Sequence, residues 1–345
     1  KPDKELTMNT TLLRIFFLMM LSVMAFTLAL GQGFSNVGSA SANFLKIPVE
    51  PVGASLAGSI VATSRGVDGM YWNPGALAFT EGTEVLVSRV NWILDTRLSH
   101  LGIAHQIGDG ALGISVTALT MEEMEITTET QPNGTSAFFN AGSYAFGLSY
   151  GVKIIDRFSF GGTAKYVYEY IWETHGSTFA FDFGSVYVTD FHNLRIGMRL
   201  VNFGGNMTFR GTPIDEKPSV IAQSGISYSY DPRLDRIAPE YPLPQLFNVG
   251  ISMDVLADEG HVLTMSSAVT DANDNVAQLG FGVEYCWNDM ISVRAGYKSG
   301  YDDQDLSAGL GFRTEIEGIR TQLDLAYAAF DRLGETTFLA LRIGI

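Results

Sequence analysis

From Glu84 to the last residue, apolar positions alternate with small or polar ones. Alternation with a period of two puts successive side chains on opposite faces of a strand. In segment 110–120, Leu112, Ile114, Val116 and Ala118 share a face. Segment 178–189 groups Phe179, Phe181, Phe183 and Tyr187, and segment 246–256 groups Phe247, Val249, Ile251, Met253 and Val255. Segment 290–299 separates Ile291, Val293, Ala295 and Tyr297 from Ser292, Arg294, Gly296 and Lys298. Strands of the same kind are predicted at 84–92, 96–107, 138–152, 157–171, 194–203, 261–270, 276–287, 306–314, 319–330 and 336–345. That makes about fourteen strands, each long enough to cross a bilayer at a tilt.

The connections test this count. Gly108-Asp109-Gly110, Ile155-Asp156, 190–193, Asp258-Glu259-Gly260, Asn288-Asp289 and 315–318 are tight turns, and all follow even-numbered strands. The long connections, 121–137 and 204–245, follow strands three and seven. Bacterial outer-membrane barrels have short periplasmic turns, long external loops and an even strand number. The parity therefore predicts an all-β transmembrane barrel, residues 84–345, with both barrel ends on the periplasmic side.

Upstream, the alternation fails. Residues 53–79 are rich in Gly, Ala and Ser and end in Tyr71-Trp72-Asn73-Pro74; Pro48 and Pro51 break regular structure before them. An irregular, partly helical plug is predicted over 32–83, at the periplasmic entrance and inside the lumen, with Gly53, Gly58, Asp68, Tyr71, Trp72, Asn73 and Pro74 as plug and gate residues. Proline forces Asn73 extended, so this pair is either local punctuation or part of a Tyr71-Trp72-Asn73-Pro74 lock between the plug and the inner wall. Residues 1–31 read as an upstream extension and a secretory signal: Met8 as start, Arg14, an apolar run 15–30, and cleavage after Gly31.

Composition agrees with a membrane barrel. Charged residues are only 17% and mean hydropathy is +0.13, yet no internal run reaches the roughly 18 apolar residues of a spanning helix. Charge falls on the small-residue face instead, at Lys165, Glu169, Arg294, Lys298, Arg313, Arg320, Asp324 and Arg342, all predicted to line the lumen. A soluble sandwich or lipocalin-like barrel would show charge on its exterior. These charges either pair to keep the lumen solvated or line a selective pathway.

The net charge of −15 offers no basic stripe to a nucleic acid. Cys286 stands alone, and His100, His105, His175, His192 and His261 have no partner at metal-ligand spacing. No nucleophile elbow or phosphate loop occurs, so no catalytic residue, metal or cofactor is expected. The acidic runs 271–274 and 302–305 read as solvated turns rather than calcium loops.

Ile47-Pro48, Val52-Gly53-Ala54, the 58–68 stretch and Tyr71-Trp72-Asn73-Pro74-Gly75-Ala76-Leu77-Ala78 resemble the N-terminal signature of the PorV/PorQ proteins, relatives of FadL-type fatty-acid transporters. Val201-Asn202-Phe203-Gly204 and Pro242-Leu243-Pro244 resemble that family too. The chain departs from it at Pro74-Gly75-Ala76, where the family favours Pro-Ala-Gly, and at Ser64-Arg65, where it is usually more acidic. The resemblance implies a fourteen-stranded outer-membrane barrel with an N-terminal plug. It also implies a role as an accessory of type IX-like protein secretion, binding a translocon subunit or secreted cargo. Tyr228, Tyr230 and Tyr241 in the long 204–245 loop are the candidate contacts. The alternative it implies is FadL-like transport of hydrophobic small molecules, with a hydrophobic ligand in the lumen and outer-membrane lipid around the wall.

Overall fold

The computed structural model describes residues 37–211, 240–300, 304–330 and 334–345. The signal segment, Tyr228, Tyr230 and the 302–303 turn lie outside them. Fourteen antiparallel strands form the wall: β1 (Thr83–Asn91), β2 (Arg97–Ile107), β3 (Gly110–Thr120), β4 (Ala141–Ile155), β5 (Phe158–Ile171), β6 (Thr174–Val188), β7 (Arg195–Gly204), β8 (Leu246–Asp258), β9 (His261–Ala272), β10 (Asn275–Trp287), β11 (Ile291–Ser299), β12 (Gln304–Ile316), β13 (Ile319–Phe330) and β14 (Gly334–Gly344). Each pairs with its sequence neighbour, and β1 pairs with β14 from Glu84↔Gly344 to Asn91↔Thr337, so the sheet is closed. Two short strands, Met207–Arg210 and Glu240–Tyr241, extend it beside β6.

The wall is inside-out relative to a water-soluble barrel. Leu310, Val293, Leu341 and Phe146 are exposed on the outer face, whereas Arg294 is 3% and Asp324 1% exposed on the inner one. A closed barrel with a continuous apolar exterior and buried charge is an outer-membrane protein. The two-residue turns at one end need left-handed backbone, which Asn288-Asp289 and Glu317-Gly318 supply. By the loop-length rule this end is periplasmic, and the long-loop end is external.

Strand limits differ from expectation in a few places. Thr174-His175-Gly176-Ser177 belongs to β6 although it lacks apolar alternation, because its ladder runs to β5 and to Met207–Arg210. Phe138–Phe139 does not open β4 but pairs with Met124–Glu125 inside the connection. Met253 and Val255 are buried rather than lipid-facing. They pack with Leu194 and Met265 beside the turn after β6, where the Asp254 amide donates to the His192 carbonyl.

Residues 37–82 occupy the lumen along its whole length. At the external mouth the Ser41 amide donates to the Pro242 carbonyl, 2.9 Å, and the Ala42 amide to Glu169, 3.1 Å. At the periplasmic end Glu81 meets Arg320 and the Thr83 amide donates to the Ile345 carbonyl. Residues 53–79 therefore run from mid-lumen to the periplasmic end. Residues 41–49, ahead of them, reach the external mouth. Apolar wall residues at that end give Phe44, Leu45, Ile47 and Val49 a place to bury.

Candidate functional site

The lumenal segment folds on itself before it meets the wall. Pro51 starts a one-turn helix, Pro51–Ser55, and Glu50 caps it by accepting from the Val52 and Gly53 amides at 2.6 and 2.7 Å. The same carboxylate accepts from Trp72 Nε1, 2.7 Å. The Trp72 ring lies where a Cβ on Gly53 would stand and also packs on Gly58, whose φ is +75°. Tyr71 donates its hydroxyl to the Ile47 carbonyl, 2.7 Å, and crosses Trp72 edge-on. Tyr71 and Trp72 thus tie the segment to itself.

Asn73 and Pro74 face the wall. Asn73 Nδ2 donates to the Val61 carbonyl, 2.8 Å, and to the Ser185 carbonyl of β6, 3.0 Å, while its Oδ1 caps the next turn by accepting from the Gly75 amide. Pro74 and its neighbours lie against three wall glycines: a Cβ would collide with backbone at Gly151 and Gly161, and with Asn73 Oδ1 and the Pro74 ring at Gly184. The pattern continues round the barrel: Gly197 takes Val61, Gly280 takes Ala57, Gly296 takes Ser55-Leu56, and Gly113 takes Met70. This girdle of wall glycines was not read in the sequence, where each looks like a weak strand position. Asn73→Ala leaves the buried carbonyls of Val61 and Ser185 without that donor and removes a cap. It should weaken docking of the segment by about 2 kcal/mol, read as faster hydrogen exchange across residues 59–79 with the strands unchanged.

All the charges expected in the lumen lie on inward positions, mostly paired. Lys165 meets Asp182 at 2.8 Å and bonds Asn202. Glu169 accepts from Ser143 as well as from Ala42. Arg294 bridges Glu284 and Asp324, both at 2.7 Å, and Arg342 pairs with Asp68 of the lumenal segment. Arg313 and Arg320 sit lower, in the periplasmic vestibule, on Asp289 and Glu81. Lys298 lines a cavity with Lys46 near the external side. Tyr241 is half-exposed at the external mouth, its carbonyl facing the Ser41 hydroxyl.

Two residues were missed. Arg199 is buried and donates from Nη1 to the Tyr71 and Trp72 carbonyls, at 2.9 and 3.0 Å, and from Nε to Asn248, with its guanidinium 5.1 Å from the Trp72 ring centre. Its inward parity on β7 was the available signal. Glu50 is 1% exposed, and burial, with Asp68 second, pushes its carboxyl up to about 8. Nothing in a Pro-flanked loop marked it.

The lumen has two halves. The external half carries an apolar cluster of Phe44, Leu45, Ile47, Leu98, Val167 and Phe338 with their neighbours, beside charged groups that include the Lys46–Asp274 pair. Small voids lie there among the described residues, one of about 40 Å³ beside Tyr71, Lys165 and Arg199, another of about 90 Å³ between Lys46, Trp72 and Lys298. The periplasmic half is packed with Val67, Met70, Leu77 and Leu86 on one side and polar on the other, with cavities of about 400 and 350 Å³ that share Arg65, Asp289, Arg313, Gln322 and Arg342.

No protein-family model and no curated protein matches the chain. Solved structures do. A Pseudomonas aeruginosa FadL homologue aligns over 86% of this chain and 98% of its own, with TM-score 0.51 and 13% identity. The Pseudomonas putida toluene transporter TodX aligns over 90% and 97%, with TM-score 0.51 and 12% identity. The Ralstonia pickettii toluene transporter TbuX aligns over 85% and 96%, with TM-score 0.51 and 12% identity. The fold is that of a FadL-like outer-membrane barrel. At these identities the likeness carries the FadL-like architecture and no residue-by-residue correspondence.

Proposed function

We propose that this barrel passes small hydrophobic molecules across the outer membrane, with residues 37–82 as the plug that closes it. The observation that carries this reading is the apolar cluster between segment and wall in the external half of the lumen. A water-filled pore keeps its interior polar, whereas here apolar side chains of the segment and of the wall are buried against each other, and a hydrophobic solute could take the place of the segment's side chains. The FadL-like fold of toluene transporters supports the same direction. The voids of about 40 and 90 Å³ fall well below the roughly 300 Å³ of a ligand pocket, so the described state is closed. Passage then requires part of the plug to leave the wall, towards the polar periplasmic vestibule.

Accumulation of radiolabelled toluene by cells with and without the protein tests this, with a disaccharide as the hydrophilic control. The protein should raise toluene entry and leave the disaccharide unchanged. Leu45→Asp, which sets a charge in the apolar cluster, should cut the gain about fivefold. Equal entry of both solutes would remove the proposal.

A second reading is the secretion-accessory role that the PorV/PorQ resemblance implies. Its support is that signature and the 205–245 connection, long enough to be functional. Deleting residues 212–239 should then impair protein secretion or surface attachment while toluene entry persists. Normal secretion by that variant would count against it.

A further inference from the structure

We infer that the outer wall of β1 to β5, at its external end, is a docking surface for the phosphorylated sugar headgroup of an outer-leaflet glycolipid. Three successive outward rows, read straight across the ladders, make the case. The lowest is Val87, Leu101, Val116, Phe146 and Tyr166, all exposed and apolar. The next row up is Arg89, Ser99, Ala118, Tyr144 and Tyr168, and the one above it Asn91, Arg97, Thr120, Gly142 and Tyr170.

The upper two rows form one shelf. Arg89 and Arg97 are exposed at one end. Small residues, Ser99, Ala118, Thr120 and Gly142, floor the middle. Tyrosines stand at the other end, where Tyr144 and Tyr170 stack at 6.3 Å with planes 9° apart and lean over Gly142. Tyr168 continues this surface towards His175 of β6. From the arginines to the tyrosines is about 14 Å at the usual strand spacing, the reach of a phosphorylated disaccharide.

Each part matches one part of such a lipid. Acyl chains lie along the apolar row, phosphate meets the arginines, and sugar rings cross the small-residue floor to the tyrosine faces. An arginine directly above lipid-facing Val87 and Leu341 and level with Leu339 belongs at the headgroup level, where an anionic lipid offers it a partner. Arg97 also holds Glu122 at 3.0 Å, an exposed pair that screening keeps weak. Asp95 lies in the turn above, exposed.

The test uses the full chain purified from outer membranes in mild detergent, with bound lipid counted by native mass spectrometry. A diphosphorylated diglucosamine lipid, phosphatidylglycerol and inorganic phosphate are added back separately. The wild-type protein should retain the glycolipid and not phosphatidylglycerol, and inorganic phosphate should fail to displace it. R89Q/R97Q should lower retention about tenfold, the weight of a charge-assisted contact. R89K/R97K should keep most of the retention, and Y144A/Y168A should lower it about threefold. Heat-modifiable mobility shows that each variant is a folded barrel. Retention unchanged in folded R89Q/R97Q, equal retention of phosphatidylglycerol, or loss of an attached protein in place of lipid would each overturn the inference.

Discussion

Gly161→Val is expected to strip the plug from β5 and leave the barrel wall standing. A Cβ at Gly161 would fall on the Pro74 carbonyl and the Gly75 amide, and Gly151 and Gly184 press on the same turn. The atoms in the way are backbone, so no side chain can rotate aside, and the cost lies at the upper end of overpacking, about 3 kcal/mol. Strand pairing and the lipid-facing belt are untouched by an inward isopropyl group. The undocked population should rise roughly hundredfold, seen as frequent channel openings in planar bilayers from a protein that still shows heat-modifiable mobility. The neighbour gives the control. Gly162 faces outward, where a Cβ comes no nearer than 3.4 Å, to the Asp182 carbonyl, so Gly162→Val should stay closed. Equal behaviour of the two variants would show that the close approach at Gly161 does not hold the plug.

The contrast between those two glycines marks what a sequence can carry. Alternation identifies faces, because lipid accepts only apolar side chains and the lumen tolerates the rest. The fourteen strands, their parity and the inward placement of Arg294, Asp324 and Arg342 were all legible for that reason. What the inward residues touch was not. Gly161 contacts Pro74 across 87 positions of chain, and the sequence shows only a glycine where a strand is weakest. Arg199 has inward parity on β7, but parity says nothing of its hold on the Tyr71 and Trp72 carbonyls. Glu50 was invisible as a hub because its partners are two amides of the next turn and an indole 22 residues on. The motif around Asn73-Pro74 pointed to a family, and within it to secretion, while the apolar cluster in the lumen favours transport.

Glu50 carries the other large expected effect. Glu50→Ala removes the acceptor of three N–H groups in a site closed to water, and it removes a helix cap. Buried donors left unpaired cost about 1–3 kcal/mol each and do not add fully, so plug docking should lose about 4 kcal/mol. Glu50→Gln keeps an acceptor for the Gly53 amide and Trp72 Nε1 and should lose far less. The two variants also separate at the level of pH. Burial raises the Glu50 carboxyl from 4.5 to about 8 against the pull of its hydrogen bonds, so the docked state binds the proton more tightly than a released plug does. The resulting stabilisation is complete below pH 4.5, persists in falling measure through neutrality, and is lost as pH rises through about 8. Asp68, raised by burial to about 6 although Arg342 opposes the shift, adds a smaller loss between pH 3.8 and about 6. Protease nicking within residues 50–72 should therefore be slowest in acid and accelerate towards pH 9. In Glu50→Gln the rise between pH 6 and 9 should vanish, because no proton is left to lose at that position. A wild-type profile flat across that range would remove Glu50 as the group that ties plug docking to pH.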